Sequence, residues 1–224
     1  MRVTPGVPMS DREPSFAHLQ RHQRDLDQYR TQVQATADAR FGPAWWGVVD
    51  QHMALAADAT IVDFGVGTGA LLASVRARMP EAILAGLDLH PEMLAVAAEN
   101  LAGMDVSLQR ADLAVPVPIP DASVDCVLSA LTFHELPHPP DLLDNAARVL
   151  RPGGRLVLFD IVKWPLAVYM EGKALSRDTL DHYREHCLFS PDDLAWLVAQ
   201  AGFTVDEVVL RGGGRFAMVI ATRD

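Results

Sequence analysis

The stretch Ile61-Val-Asp-Phe-Gly-Val-Gly-Thr-Gly69 decides the fold: an apolar strand runs into a glycine-rich turn, and a helical pattern follows from Leu71. Glycines at 65, 67 and 69 allow a tight turn whose amides, with those of the helix start, approach a ligand closely. The spacing departs from the dinucleotide fingerprint GxGxxG, and Asp63 stands on the strand just before the turn. A carboxylate there repels a pyrophosphate and suits a cationic or zwitterionic ligand. A nicotinamide oxidoreductase is disfavoured on both counts.

Outward from this turn, short apolar runs at 59–64, 82–87, 106–109, 124–130 and 155–161 alternate with helical stretches at 71–79, 91–101 and 141–150. That alternation is the pattern of an α/β chain with a parallel sheet and crossover helices. A further helix starts at Ser190, with a serine N-cap, Pro191 at its first position and two acids in its first turn, and Gly202 ends it. Two strands, 203–210 and 215–222, joined by Gly212-Gly213-Gly214, close the chain as a hairpin.

On the other side of the turn, residues 1–14 carry Pro5, Pro8 and Pro14 and are expected to form a flexible lead-in. Residues 15–55 are expected to form a helical extension or cap. Its first part places Phe16, Leu19, Leu26, Tyr29, Val33 and Ala37 at helical spacing, a stripe that needs covering by the domain or by a second copy in a homodimer. Gly42-Pro43 breaks it, and a second helix is expected over 44–55. Residues 56–224 make up the remaining domain.

Of the 224 residues, 50% are hydrophobic and 21% charged, which supplies one sizeable core and excludes a disordered or fibrous chain. Lys plus Arg number 19 against 29 Asp plus Glu, a net charge of −10 that disfavours a nucleic-acid partner. Met1 to Ser10 has no apolar signal core, and no apolar run approaches the roughly 18 residues of a membrane span. No membrane partner and a cytoplasmic location are therefore expected. The two cysteines, Cys126 and Cys187, have no CxxC spacing, so neither a disulfide framework nor a cysteine-rich zinc site is expected.

Two more acids end strands. Asp88, in Gly86-Leu-Asp-Leu-His90, follows Gly67 by 21 residues and can accept both hydroxyls of a ribose. Asp112, in Gln109-Arg-Ala-Asp-Leu113, can accept from an adenine amino group while Leu113 packs on the ring. Three acids at consecutive strand ends define one crevice for a nucleoside-containing ligand.

With Asp125 in Ala122-Ser-Val-Asp-Cys-Val-Leu-Ser-Ala130 and the turn Arg151-Pro-Gly-Gly154, these elements resemble, over roughly residues 59–161, the class I S-adenosylmethionine-dependent methyltransferases. The resemblance is to their small-molecule branch, similar to the ubiquinone and menaquinone biosynthesis enzymes. It implies a Rossmann-like, seven-stranded, mostly parallel sheet with helices on both faces, plus the N-terminal helical extension. It further implies that Asp63, Gly65, Gly67 and Gly69 line the methionine part of the cofactor, Asp88 holds the ribose, and Asp112 and Leu113 the adenine. Thr68, Leu89, Met93 and Ala130 complete the implied cofactor set. Val66 stands where the family often has Cys, Ala or Pro, a tolerable change because the backbone does the binding.

Methyl transfer also needs the acceptor aligned and, for some acceptors, a proton removed. His134, in Ser129-Ala-Leu-Thr-Phe-His-Glu-Leu136, is the first candidate for a base or orienting group, with Glu135 behind it; the bland reading is that this stretch only caps the strand. Tyr183 is the third candidate. It lies in 163–188, where Tyr169, Met170, His182 and His186 can also face an acceptor; Trp45 and Trp46 read as core or as acceptor-facing. His182 and His186 have the spacing of two metal ligands on one helix face, with Glu185 and Cys187 adjacent. No third ligand is evident, so no metal is expected. His134 and His138 share that spacing, but Pro137, Pro139 and Pro140 exclude a helix there. Thr132-Phe133-His134 stands in place of the Asn/Asp-Pro-Pro-aromatic signature of amino-methylating nucleic-acid enzymes, which argues against an RNA substrate, and the resemblance implies a small-molecule acceptor, with O- or C-methylation favoured by fold analogy. The alternative is a non-catalytic, cofactor-binding scaffold that dimerises through the N-terminal helix.

Overall fold

Side-chain alternation sorts the central strands onto two cores. Val62, Val127, Leu156, Leu158, Ala217 and Val219 face one, while Ile61, Cys126, Leu128, Val157, Phe159, Met218 and Ile220 face the other. Both faces are apolar because both are covered, which is why these strands read as continuous hydrophobic runs.

The computed structural model describes Ser15 and residues 40–224. The lead-in and nearly all of the first expected helix, including Tyr29 and the proposed dimer stripe, lie outside the described residues. In chain order the elements are α1 (Pro43–His52), β1 (Thr60–Phe64), α2 (Ala70–Arg78), β2 (Ile83–Asp88), α3 (Pro91–Asn100), β3 (Val106–Arg110) and β4 (Val124–Ala130). There follow a 3-10 turn (Phe133–Glu135), α4 (Pro140–Val149), β5 (Leu150–Ile161), α5 (Leu166–Tyr169), α6 (Arg177–His186), α7 (Pro191–Gln200), β6 (Phe203–Arg211) and β7 (Phe216–Arg223).

The seven strands form one sheet in the order β3-β2-β1-β4-β5-β7-β6. Strands β1 to β5 pair in parallel and the terminal hairpin pairs antiparallel, as the sequence pattern implies. Helices α4 and α7 cover one face through Leu142, Leu143, Val149, Leu194 and Val198. On the other face, α1 and α2 supply Trp45, Val49, Leu71 and Val75. Trp45 is buried between Phe41 and Phe159, with ring centroids 5.2 Å from each, and Trp46 donates to Ser74 Oγ at 2.8 Å. The tryptophan pair is core, not an acceptor surface. No described helix is long and apolar enough to cross a membrane.

β5 begins at Leu150 rather than at Arg155. Arg151-Pro-Gly-Gly154 is a bulge within the strand, where the register shifts between Val124 and Cys126 of β4 and Gly153 takes φ +76°. Asp125 anchors it: Oδ1 pairs with Arg151 at 2.7 Å while Oδ2 accepts from the Thr60 amide at 2.8 Å.

The loop after β3, which carries Asp112, has little regular structure and is fixed instead by buried Asn145 of α4. Asn145 Oδ1 accepts from the Val117 amide at 3.0 Å, and Nδ2 donates to the carbonyls of Leu113 and Val115 at 2.9 and 2.8 Å. Asn145→Ala leaves these backbone groups without that partner, at about 1–3 kcal/mol for each one that water cannot then reach. Urea unfolding is expected to show a loss of roughly 2–4 kcal/mol; a loss below about 0.5 kcal/mol, the size of an ordinary surface change, would refute this role.

Candidate active site

The loops after β1, β2, β3 and β4 meet at the carboxyl edge of the sheet. Leu87 O accepts from the amides of both Gly65 and Val66 at 2.8 Å, folding the first loop against β2. Gly65 adopts φ +85°, and a Cβ there would overlap the Thr132 side chain, so the β1 loop and the segment after β4 touch. Gly67 is different. A Cβ on it meets nothing nearer than Gly65 O at 4.0 Å, so it leaves the crevice floor open.

Asp88 is aimed by the backbone: its Oδ2 accepts from the Gly67 amide at 2.9 Å and its Oδ1 from the His90 amide at 2.8 Å. Each carboxylate oxygen keeps a second lone pair for a ligand hydroxyl. Burial raises the pKa of Asp88 from its ordinary value, and the amides of His90 and Gly67 work against that rise. Asp63 is more extreme. Burial, then the charge of Asp88, hold its pKa well above the usual range, and among the described residues its Oδ1 has no hydrogen-bond partner. A buried carboxylate with an unmet oxygen calls for a donor or a cation from the ligand.

Asp63, Gly65, Gly67, Thr68, Asp88, Leu89, Met93, Asp112, Leu113 and Ala130 line this one crevice. Residues 62–158 match the Methyltransferase domain family. This part of the chain is a methyltransferase domain. The chain is 35% identical over 185 residues to the trans-aconitate 2-methyltransferase of Methylobacterium nodulans, covering 76% of this chain and 66% of that protein. It is 35% identical over 111 residues to the demethylmenaquinone methyltransferase of Thermus thermophilus, covering 49% of this chain and 50% of that protein. The chain thus spans less than two thirds of the length of these relatives. A methyltransferase structure from Aquifex aeolicus superposes with a TM-score of 0.69 at 22% identity, over 89% of this chain and 99% of that one, which shows the shared fold.

S-adenosylmethionine is the cofactor named for solved methyltransferases that share this fold. The crevice fits it: the unmet Asp63 oxygen suits its cationic part, oriented Asp88 its ribose diol, and Asp112 beside Leu113 its base. Gly69 is outside the lining. It takes φ +82° to start α2, and a Cβ on it would crowd Leu101, so its role is to seat the helix. The sequence reading missed Phe41 and His90, as well as Leu131, Thr132 and Leu136, which also line the crevice. Phe41, at the end of the amphipathic run, carried some signal; Leu131 carried none, because nothing in a leucine announces its φ of +59°.

The three candidate catalytic residues part company. Glu135 lines the crevice, whereas His134 is buried behind it, with Nδ1 2.5 Å from Asp160 Oδ1 and Nε2 3.3 Å from Glu135 Oε1. Burial of the ring opposes protonation, but the Asp160 charge and hydrogen bond, with Glu135 adding to them, hold the imidazole well above the usual histidine range. Asp160 also builds the turn, since its Oδ2 accepts from the Phe133 amide at 2.7 Å and the His134 amide at 3.3 Å. Its signal was available as the lone acid in the apolar run of β5. Tyr183 donates to Trp164 O at 2.5 Å and packs on Tyr169, with ring centroids 4.9 Å apart, so it braces the segment after β5 and does not line the crevice.

Asp63→Asn is expected to stabilise the ligand-free protein while weakening its binding of S-adenosylmethionine. With its folded pKa raised, Asp63 costs nothing at pH values below its unfolded pKa. The cost grows as pH rises through that value and is full above the folded pKa. The variant should therefore unfold at a higher temperature near pH 8, by roughly 2–4 °C if the relief is ~1 kcal/mol, and converge on wild type near pH 3. A lower melting temperature at pH 8 would show that the carboxylate is not under this strain.

Proposed function

We propose that the chain transfers the methyl group of S-adenosylmethionine to a small-molecule acceptor through an oxygen or carbon atom, leaving S-adenosylhomocysteine. The observation that carries this is the convergence of Asp63, Asp88 and Asp112 on one crevice, with Asp63 Oδ1 unmet by the protein. When bound, the cofactor supplies an electrophilic methyl group on a sulfonium. The chain's part is positional. Asp88, set by two amides, fixes the ribose; Asp112 and Leu113 fix the base; and Asp63 and the glycine turn hold the charged end against the segment after β4. Leu131, Thr132 and Glu135 of that segment then form the wall beside the transferred group.

Small acceptors are supported by the names of the two relatives, which designate trans-aconitate and demethylmenaquinone. The overall charge of −10 favours them over nucleic acid. We read residues 15–55 as a cap on the 56–224 catalytic domain. Ser15, Arg40 and Phe41 support this, because they reach the crevice lining from that part of the chain.

Calorimetric titration with S-adenosylmethionine and S-adenosylhomocysteine tests the site, with micromolar binding expected. Asp88→Ala should weaken both by about 10-fold to over 100-fold, since hydrogen bonds to a charged group contribute about 1.5–3 kcal/mol each. Unchanged affinity would overturn the ribose assignment. S-adenosylhomocysteine release in the presence of carboxylic acids, phenols and quinols then separates turnover from a cofactor-binding scaffold.

A further inference from the structure

The end of α6 and the 3-10 turn after β4 bring three metal-ligand atoms together. Glu135 Oε1 lies 3.3 Å from His134 Nε2 and 3.9 Å from His186 Nδ1, and one donor atom from each of the three falls within 4.8 Å of the others. Donors around a tetrahedral zinc ion at ~2.0–2.2 Å are separated by roughly 3.3–3.6 Å. One pair already has that spacing, and modest side-chain rotation closes the rest. The histidine rings meet edge to face with centroids 5.2 Å apart, and both residues are buried, at 9% and 3% exposure.

A second observation is independent of the spacing. Asp160, fully buried on β5, faces His134 Nδ1 at 2.5 Å, so Nδ1–H is committed to Asp160 and Nε2, 3.3 Å from Glu135 Oε1, is the ring atom that can ligate an ion once its own proton is displaced. A carboxylate behind a histidine is the usual outer partner of a metal-bound imidazole, because it fixes the tautomer and raises the basicity of the ligating nitrogen. His186 is held in turn by His182, one helical turn earlier, whose ring centroid lies 4.3 Å away. The helical pair visible in the sequence thus contributes one ligand and its support, and the two further ligands come from a loop about 50 residues earlier in the chain.

We propose that His134, Glu135 and His186 bind one divalent first-row transition-metal ion of the zinc class, with Asp160 orienting His134. Two imidazoles and one carboxylate suit such an ion and disfavour Mg2+ or Ca2+, which take oxygen ligands. Three protein ligands leave a fourth position. Because Glu135 lines the crevice, that position opens toward it, where the ion can hold an anionic oxygen of a second ligand. Only this last consequence rests on the methyl-transfer reading; ion binding does not.

The test is a titration of chelator-stripped, full-length protein with Zn2+ against a chromophoric competitor, and with Co2+ followed by its visible absorption. One equivalent of Zn2+ is expected to bind more tightly than micromolar, with a tetrahedral-type Co2+ band that Zn2+ displaces. His186→Ala and the isosteric Glu135→Gln should each weaken binding at least 10-fold and abolish the Co2+ band. His138→Ala, on the exposed side of the same loop, should leave both unchanged, and Asp160→Asn should weaken binding by roughly 10- to 100-fold. Glu135→Gln preserves shape, so thermal unfolding of that variant separates loss of a ligand from loss of the fold. Binding only at millimolar Zn2+, or equal affinity in wild type and Glu135→Gln, would overturn the site and leave the group as a buried proton-sharing cluster.

Discussion

Placing β1 between β2 and β4 constrains everything that follows. With the strand order β3-β2-β1-β4-β5, the chain winds outward in one direction from β1 and then returns to build the other half of the sheet. The loops on either side of the β1/β4 junction leave in opposite directions, and a crevice opens between them at the carboxyl edge. The approach of Gly65 to Thr132 marks its closed end. The acids ending β1 and β2, with Asp112 just beyond β3, stand in this crevice because the parallel pairing puts those strand ends side by side.

That arrangement sets stability against binding. Asp63 and Asp88 are buried close enough for the charge of Asp88 to raise the pKa of Asp63, and while His90 offsets part of the rise at Asp88, no cation among the described residues does so at Asp63. The two apolar cores flanking the sheet absorb this cost, which a core of ordinary size can do. The pairing of two desolvated acids therefore makes sense as preparation for a cationic ligand rather than as a contribution to folding.

The sequence revealed what depends on local period and turn chemistry. The strands showed as apolar runs because both faces are covered, and the glycine turn and strand-end acids lay within a few residues of one another. What it concealed is contact between distant segments. His134 looked like a crevice base because its neighbours are crevice residues. Its surroundings are set by Asp160, 26 residues away, and by His186 at the end of α6. The start of β5 was obscured for a related reason: Arg151-Pro-Gly-Gly154 has turn composition, and only the Asp125–Arg151 pair and the shifted register show it to be a bulge inside a strand.

Asp160 explains how the two halves of the crevice can differ in origin. The side proposed to hold the cofactor is built from strand ends and backbone amides, which the sheet fixes wherever it forms. The opposite wall begins at Leu131, whose left-handed conformation costs about 1–3 kcal/mol, and continues through a single 3-10 turn. Such a turn persists only if something overrides its strain, and the carboxylate of Asp160 does so by accepting two of its amides and a ring nitrogen. Because Asp160 sits at the end of β5, the wall is tied to the same strand that leads into α5 and α6. A change in that connection would reach the crevice through His186 and Glu135 without disturbing the strand-end acids. On the proposed function, acceptor chemistry can therefore vary on this side of the molecule while cofactor binding stays fixed by the sheet.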